Sequence, residues 1–212
     1  MFSLTPVQPH EFDRLIDRTP YNRQVMKRRG QLAPLIVPSP QQRADGAWRE
    51  HILLAADAVI MVAIDLLVEA GATRAAITHA MSDLQIEIIS RLTDIDDGKQ
   101  VHIAFAHTAR GWDVIATEHV RDAITAVAEH FSEEGEDIKV AFFAAPLHQA
   151  AAIVRQRAEQ HDIELPDRFW LTPEELDAGA DLLSAAIAPR TSPVIEQWQA
   201  LRQRETQTVA VS

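Results

Sequence analysis

Apolar residues recur at helical spacing from the start of the chain. Phe12, Leu15 and Ile16 fall at i, i+3 and i+4 and predict a short amphipathic helix over residues 9 to 17. Thr19 and Pro20 then supply an N-cap and a first helical residue, because the amide hydrogen that proline lacks would have had no partner there. A second helix runs to about Arg29, and Gly30 suits the left-handed conformation that ends it. In "APLIVPSPQQRADG", the apolar core from Leu35 to Val37 fits one edge strand of a wing, or a loop. From Ala47 to about Ala70 the chain is apolar enough for a mostly buried helix. Gly71 ends it, Thr73 caps the next, and Ala76, Ile77, Ala80, Met81, Leu84 and Ile88 form a stripe reaching Leu92.

After the acidic turn "TDIDDGK" the texture changes. "QVHIAFAHT" and "GWDVIAT", joined around "ARG", predict a hairpin, and a helix follows over roughly 118 to 131. The acidic loop "SEEGED" leads to a buried-strand pattern, "IKVAFFAA", and Pro146 opens a helix to about His161. "LTPEEL" starts one more, with Thr172 and Glu175 at capping-box spacing. The pattern implies an α+β fold in two domains: a mainly helical region over 1–95 and a smaller α+β regulatory or assembly domain over 96–190. A loosely held tail is expected over 191–212.

Composition narrows the chemistry. Of 212 residues 47% are hydrophobic, enough for a substantial core, and there is no cysteine, which excludes disulfides, thiolate metal sites and cysteine nucleophiles. Asp57 and Asp65 interrupt the apolar run from Ile52 to Leu67, which falls short of the roughly 20 residues of a membrane span. No secretory signal is apparent at the N-terminus, so a cytoplasmic protein is expected. The net charge of −11 argues against non-specific coating of nucleic acid. Yet residues 1 to 50 carry eight basic residues against five acidic ones, a surplus of +3, which leaves the remainder at −14. That asymmetry fits one end meeting a polyanion.

Two helices joined by a sharp turn, the second basic, form a helix-turn-helix candidate whose second helix would enter the major groove. Arg23 and Lys27 lie one helical turn apart with Asn22 beside them, and these residue types suit base reading, as Arg and Lys donate to guanine and Asn bridges adenine. Arg28, Arg29, Arg43 and Arg49 are the candidates for phosphate contacts.

The segment "EFDRLIDRTPYNRQVMKRRGQLAP" resembles the first two helices of MerR-type winged helix-turn-helix regulators, with their Ser/Thr-Pro start, Arg-Gly end and following Leu-x-Pro. "LLVEAGATRAAITHAM" is similar to that family's later helix pair, and the two matches stand in the family order within residues 9–92. The resemblance implies a DNA-binding transcription regulator. Three positions depart from the pattern: the family's turn glycine falls at Asp17, and two positions normally apolar fall at Arg18 and Arg23. Either the pair packs in a shifted register with Tyr21, Val25 and Met26 as its inner face, or the first likeness is accidental. Taken alone, "LLVEAGATRAAITHAM" also resembles a helix-turn-helix of the phage-repressor kind, with Thr73, Arg74, Thr78 and His79 outward. One Arg beside Glu69, Asp83 and Glu87 makes it the weaker reader of the two.

The C-terminal half offers less chemistry. His102 and His107 differ by an odd number on one strand, so with His119 they do not suggest a shared metal. Asp94, Asp96 and Asp97 lack the spacing of a calcium loop and read as a solvated turn. Trp112, Phe142, Phe143, Phe169 and Trp170 are core residues first and an effector pocket second. No phosphate loop, nucleophile elbow or zinc-protease helix occurs, so neither an enzyme nor a cofactor is expected. The expected function is sequence-specific regulation of transcription on double-stranded DNA. Paired half-sites call for a homodimer, joined through the apolar helix 52 to 70 or the C-terminal domain. The alternative is an adaptor or antagonist whose acidic C-terminal half binds a basic protein.

Overall fold

The structure, a computed structural model, describes residues 6 to 32, 34 to 38, 53 to 108, 111 to 132, 141 to 170 and 189 to 191. The chain begins with β1 (Pro6–Val7), α1 (Pro9–Leu15), α2 (Pro20–Arg28), β2 (Ile36–Pro38) and β3 (Leu53–Leu54). Next come α3 (Ala55–Glu69), α4 (Arg74–His79) and α5 (Met81–Asp96), then the hairpin β4 (His102–Thr108) and β5 (Gly111–Thr117). The elements α6 (Val120–Ser132), β6 (Ala141–Pro146), α7 (Leu147–Gln160) and β7 (Pro189–Thr191) complete an α+β fold.

The cap chemistry read from the sequence operates locally. Thr19 Oγ1 accepts the Asn22 amide at 3.2 Å, and Thr73 Oγ1 accepts that of Ala76 at 3.3 Å. Gly30 takes φ +65° where α2 ends and Gly71 takes φ +110° after α3. The helical stripe from 76 to 92 is not one helix. The backbone leaves helical geometry at Ala80, with φ −98° and ψ 15°, and α4 and α5 are separate elements. The expected buried helix begins at Ala55, since Leu53 and Leu54 form β3. The predicted helix start at Thr172 and the tail over 192–212 lie outside the described residues.

The largest sheet is antiparallel in the order β5-β4-β6. Ile103 stands between Ala116 and Ala145, and Phe105 between Val114 and Phe143, so the odd positions of β4 face the core. Helices α3, α5 and α7 cover that face; α6 packs on β4 and β5, with Ala123 buried outside the main cluster, and covers the other. The two small sheets are both non-local. β1 pairs with β3, and β2 pairs with β7 through Val37↔Arg190. Of the two readings for Leu35 to Val37, strand or loop, the strand is seen, and among the described residues its partner is a segment about 150 residues away.

One hydrophobic cluster runs from Val7 to Trp170. Eleven of the fifteen residues of α3 are buried, all but Asp57 as members of this cluster, and α7 packs against α1, α3 and α5. Burying Phe12, Leu15 and Ile16 contributes about 1.5–3 kcal/mol each. Arg157 on α7 donates to the Leu15 carbonyl at 2.9 Å, which ties the end of α1 to the C-terminal half. The boundary expected after residue 95 thus falls at the last turn of α5, within a core that both segments share. Asp57 is 2% exposed. Its carboxylate accepts the Leu35 amide at 2.9 Å and the Leu54 amide at 2.8 Å, holding together the chain on both sides of residues 36 to 53.

Candidate nucleic-acid interface

The face that α2 turns inward is set by Arg23 and Met26, the two buried residues of that helix. Arg23 Nε donates to Asp13 Oδ1 on α1 at 2.6 Å, and both side chains are less than a tenth exposed. Burial and pairing together withdraw Arg23 from the outward face of α2, with its Nε spent on Asp13 inside the protein. A solvated helix and a DNA-reading helix would both have turned this side chain outward. Tyr21 is also corrected, since it is not an inner residue of a shifted register but is 75% exposed.

At about 100° per residue, the side of α2 opposite Arg23 and Met26 carries Tyr21 and Arg28, flanked by Gln24 and Val25. Asn22, Arg28 and Arg29 are exposed and Lys27 is half-buried. None of these four side chains makes an ion pair with a described residue. Arg43 and Arg49 lie outside the described residues. Sequence reasoning misses Tyr21 as an outward residue, with half-buried Gln24 beside it, because the charge of Arg23 assigns that residue to solvent.

Asp17 adopts φ +52°, the conformation a turn glycine takes freely, and Arg18 and Arg23 turn inward onto carboxylates. Arg18 Nη2 meets Asp65 Oδ2 at 2.6 Å, and Arg74 Nη2 meets Asp65 Oδ1 at 2.8 Å. The starts of α2 and α4 are thereby joined through α3. At the far end of α2, a Cβ on Gly30 would lie 3.9 Å from Thr78 Cγ2 of α4.

The other reading pair is less available. Thr78 Oγ1 donates to the Arg74 carbonyl at 2.9 Å, and the His79 Nδ1 hydrogen bonds to the Ala75 carbonyl at 3.1 Å, so both side chains serve their own helix. Arg74 is held by Asp65.

The C-terminal candidates are structural. Asp96 is not in a solvated turn: its side chain is 1% exposed and accepts the Phe169 and Trp170 amides at 2.9 and 3.2 Å, with Arg155 Nη2 at 3.4 Å. Burial raises its pKa, opposed by the two amides and by Arg155 and Arg168. Asp94 pairs with Arg91 and Lys99, and Asp97 with Arg168. Phe169 and Trp170 are buried in the main core, Phe143 packs against it, and Phe142 joins Ala106 and Ile115 on the other face of the sheet; the Trp112 side chain lies outside the described residues. His102 stands edge-on to His148 at 5.3 Å, and each Nδ1 hydrogen bonds to a carbonyl, of Glu118 and Val101. Among the described residues, no three His, Cys, Asp or Glu side chains gather as a metal site, and no helix is long and apolar enough to cross a membrane. Eleven of the fifteen residues of α3 are buried by the described chain, which leaves little of that helix open to a partner.

No family model matches the sequence, and no curated protein matches it.

Proposed function

We propose that this chain is a sequence-specific DNA-binding regulator of transcription, of the MerR-like winged helix-turn-helix kind, with α2 as its reading helix. The observation that carries the reading is the outward side of α2, where Tyr21, Gln24 and Arg28 form a stripe flanked by Asn22, Lys27 and Arg29. Arg donates to guanine, Gln bridges adenine, and an aromatic edge meets a thymine methyl or a sugar, so the stripe carries the chemistry that Arg23 does not. Arg29 and Lys27 on its flanks, with Arg43 and Arg49, serve the phosphates. What supports the family likeness is the left-handed φ of Asp17 at the position of the family's turn glycine, and the pairing of Arg18 and Arg23 with carboxylates at two positions normally apolar. The protein acts in the cytoplasm as a homodimer on paired half-sites, through a surface other than α3.

The test is selection of genomic fragments by the purified chain, followed by gel-shift titration over a salt series. A specific, salt-sensitive complex is expected, and Arg28→Ala weakens it by about 1–3 kcal/mol. Arg23→Met, where folded, leaves the affinity unchanged. One observation favours the adaptor reading: Arg18, Arg23 and Arg74 are all engaged by this protein's own carboxylates, which thins the positive face. Absence of any complex at low salt selects that reading, in which the acidic C-terminal half meets a basic protein.

A further inference from the structure

Asp65 is the one carboxylate shared by two arginines among the described ion pairs, and the cluster carries a net charge of +1. Its three side chains stay in contact with water, at 26% exposure for Arg18, 38% for Arg74 and 19% for Asp65. Arg18 spends Nη2 on Asp65 and Nη1 on the Asp17 carbonyl at 2.9 Å, while Arg74 spends only Nη2. Arg18 Nε and the Nε and Nη1 of Arg74 make no hydrogen bond to a described residue. A guanidinium has five donor hydrogens in a planar fork, and the geometry matches a tetrahedral oxyanion as well as a carboxylate.

We infer that Arg18 and Arg74, drawn together on the carboxylate of Asp65, form a phosphate-binding site at the junction of the two helix pairs, and that its ligand is a backbone phosphate of duplex DNA. The inference rests on the DNA-binding reading above. Arg18 immediately precedes the cap of α2 and Arg74 is the first residue of α4, so a phosphate held there fixes the end of the reading helix that carries Tyr21 and Asn22. Asp65 pre-orders both side chains, which lowers the rotamer entropy lost on binding. Exposed Asp17 in the same turn, and exposed Glu69 farther along α3, oppose an anion. The cluster therefore contributes as one contact within a larger face and is not an independent anion site.

The probe is an end-labelled mixed-sequence duplex titrated with the full chain at several salt concentrations, since a phosphate contact is indifferent to sequence. Arg74→Gln should weaken binding several-fold at low salt and lower the slope of log K against log salt by about 0.9. Arg74→Lys should recover most of the slope and guards against loss of the fold in the glutamine variant. Arg121→Gln, an exposed change on α6, should alter neither quantity. A wild-type chain that binds duplex while Arg74→Gln keeps the full slope makes the two arginines structural ties and overturns the inference alone. A wild-type chain that binds no duplex at any salt overturns the DNA-binding reading and this site with it.

Discussion

Arg23 reaches Asp13 across the contact of α1 and α2, Nε to Oδ1, in the interior of the protein. A pair withdrawn from water gains little net stability, but the loss of one member strands a buried charge. Arg23→Ala or Asp13→Ala alone should therefore lower stability by about 3–5 kcal/mol. The double replacement Asp13→Leu with Arg23→Met should lose much less than the sum. Urea denaturation of the four chains gives the coupling directly, and simple additivity of the single losses would show that the two groups are not a unit.

Asp57 links folding to pH. Burial raises its pKa from 3.8 to about 7, against the lowering effect of the Leu35 and Leu54 amides. Between those values the folded chain holds a proton that the unfolded chain has released, so stability falls as pH rises through the window and levels off above it. Lowering the pH from about 8 to about 5 should then stabilise the protein by an amount on the order of 2–4 kcal/mol. Glu87 and Asp96, also raised by burial, act in the same direction. Asp57→Asn should remove the part of the dependence nearest neutrality; denaturation curves that keep their full pH slope in that variant would refute the assignment.

Asp17 holds φ +52° without being glycine. Asp17→Gly should raise stability by roughly 0.5–1 kcal/mol, because the left-handed conformation is no strain for glycine. A fall in the denaturation midpoint would mean that the Asp17 side chain does more than occupy the turn.

At Gly71 the conformation disfavours a side chain and the surroundings crowd one. Its φ is +110°, and an added Cβ would stand 3.3 Å from Phe143 Cε1. At Gly30 the φ is +65° with the nearest atom at 3.9 Å. Gly30→Ala should cost about 1 kcal/mol and Gly71→Ala about 2 kcal/mol or more. Equal thermal shifts in the two variants would show that Phe143 yields without penalty.

Asp96 fastens residues 169 and 170 to the end of α5, with Arg155 stacked 4.3 Å from the Phe169 ring centre. Asp96→Ala leaves two amides unpartnered, at about 1–3 kcal/mol each for a buried group. Hydrogen exchange should speed up at Phe169 and Trp170; unchanged protection would place the anchor elsewhere.

What the sequence discloses is local. The caps at Thr19 and Thr73, the glycine ends, the hairpin around residues 109 and 110 and the helix opening after Pro146 follow from turn chemistry and periodicity within a dozen residues. The inward face of α2 does not, because Arg23 is assigned to water by its charge and its partner lies ten residues earlier. The available signal was Asp13, an acid beside Phe12 and three residues before Ile16 on a stripe otherwise apolar. Asp96 reads as solvated for the same reason, as the amides that claim it lie more than seventy residues onward. The pairings of β1 with β3 and β2 with β7 involve two and three residues each, too short to leave a period. The shared core was hidden by the change of texture near residue 97, which marks a change of element type.

Because α7 closes over α1 and α3, the scaffold beneath the outward stripe of α2 is not a detachable module. Cutting the chain after α5 would strip a wall from α3 and leave Leu15 and its neighbours open to solvent, and such a fragment would clump before it met any target. Transplanting this face onto another scaffold means carrying the far end of the polypeptide along with it.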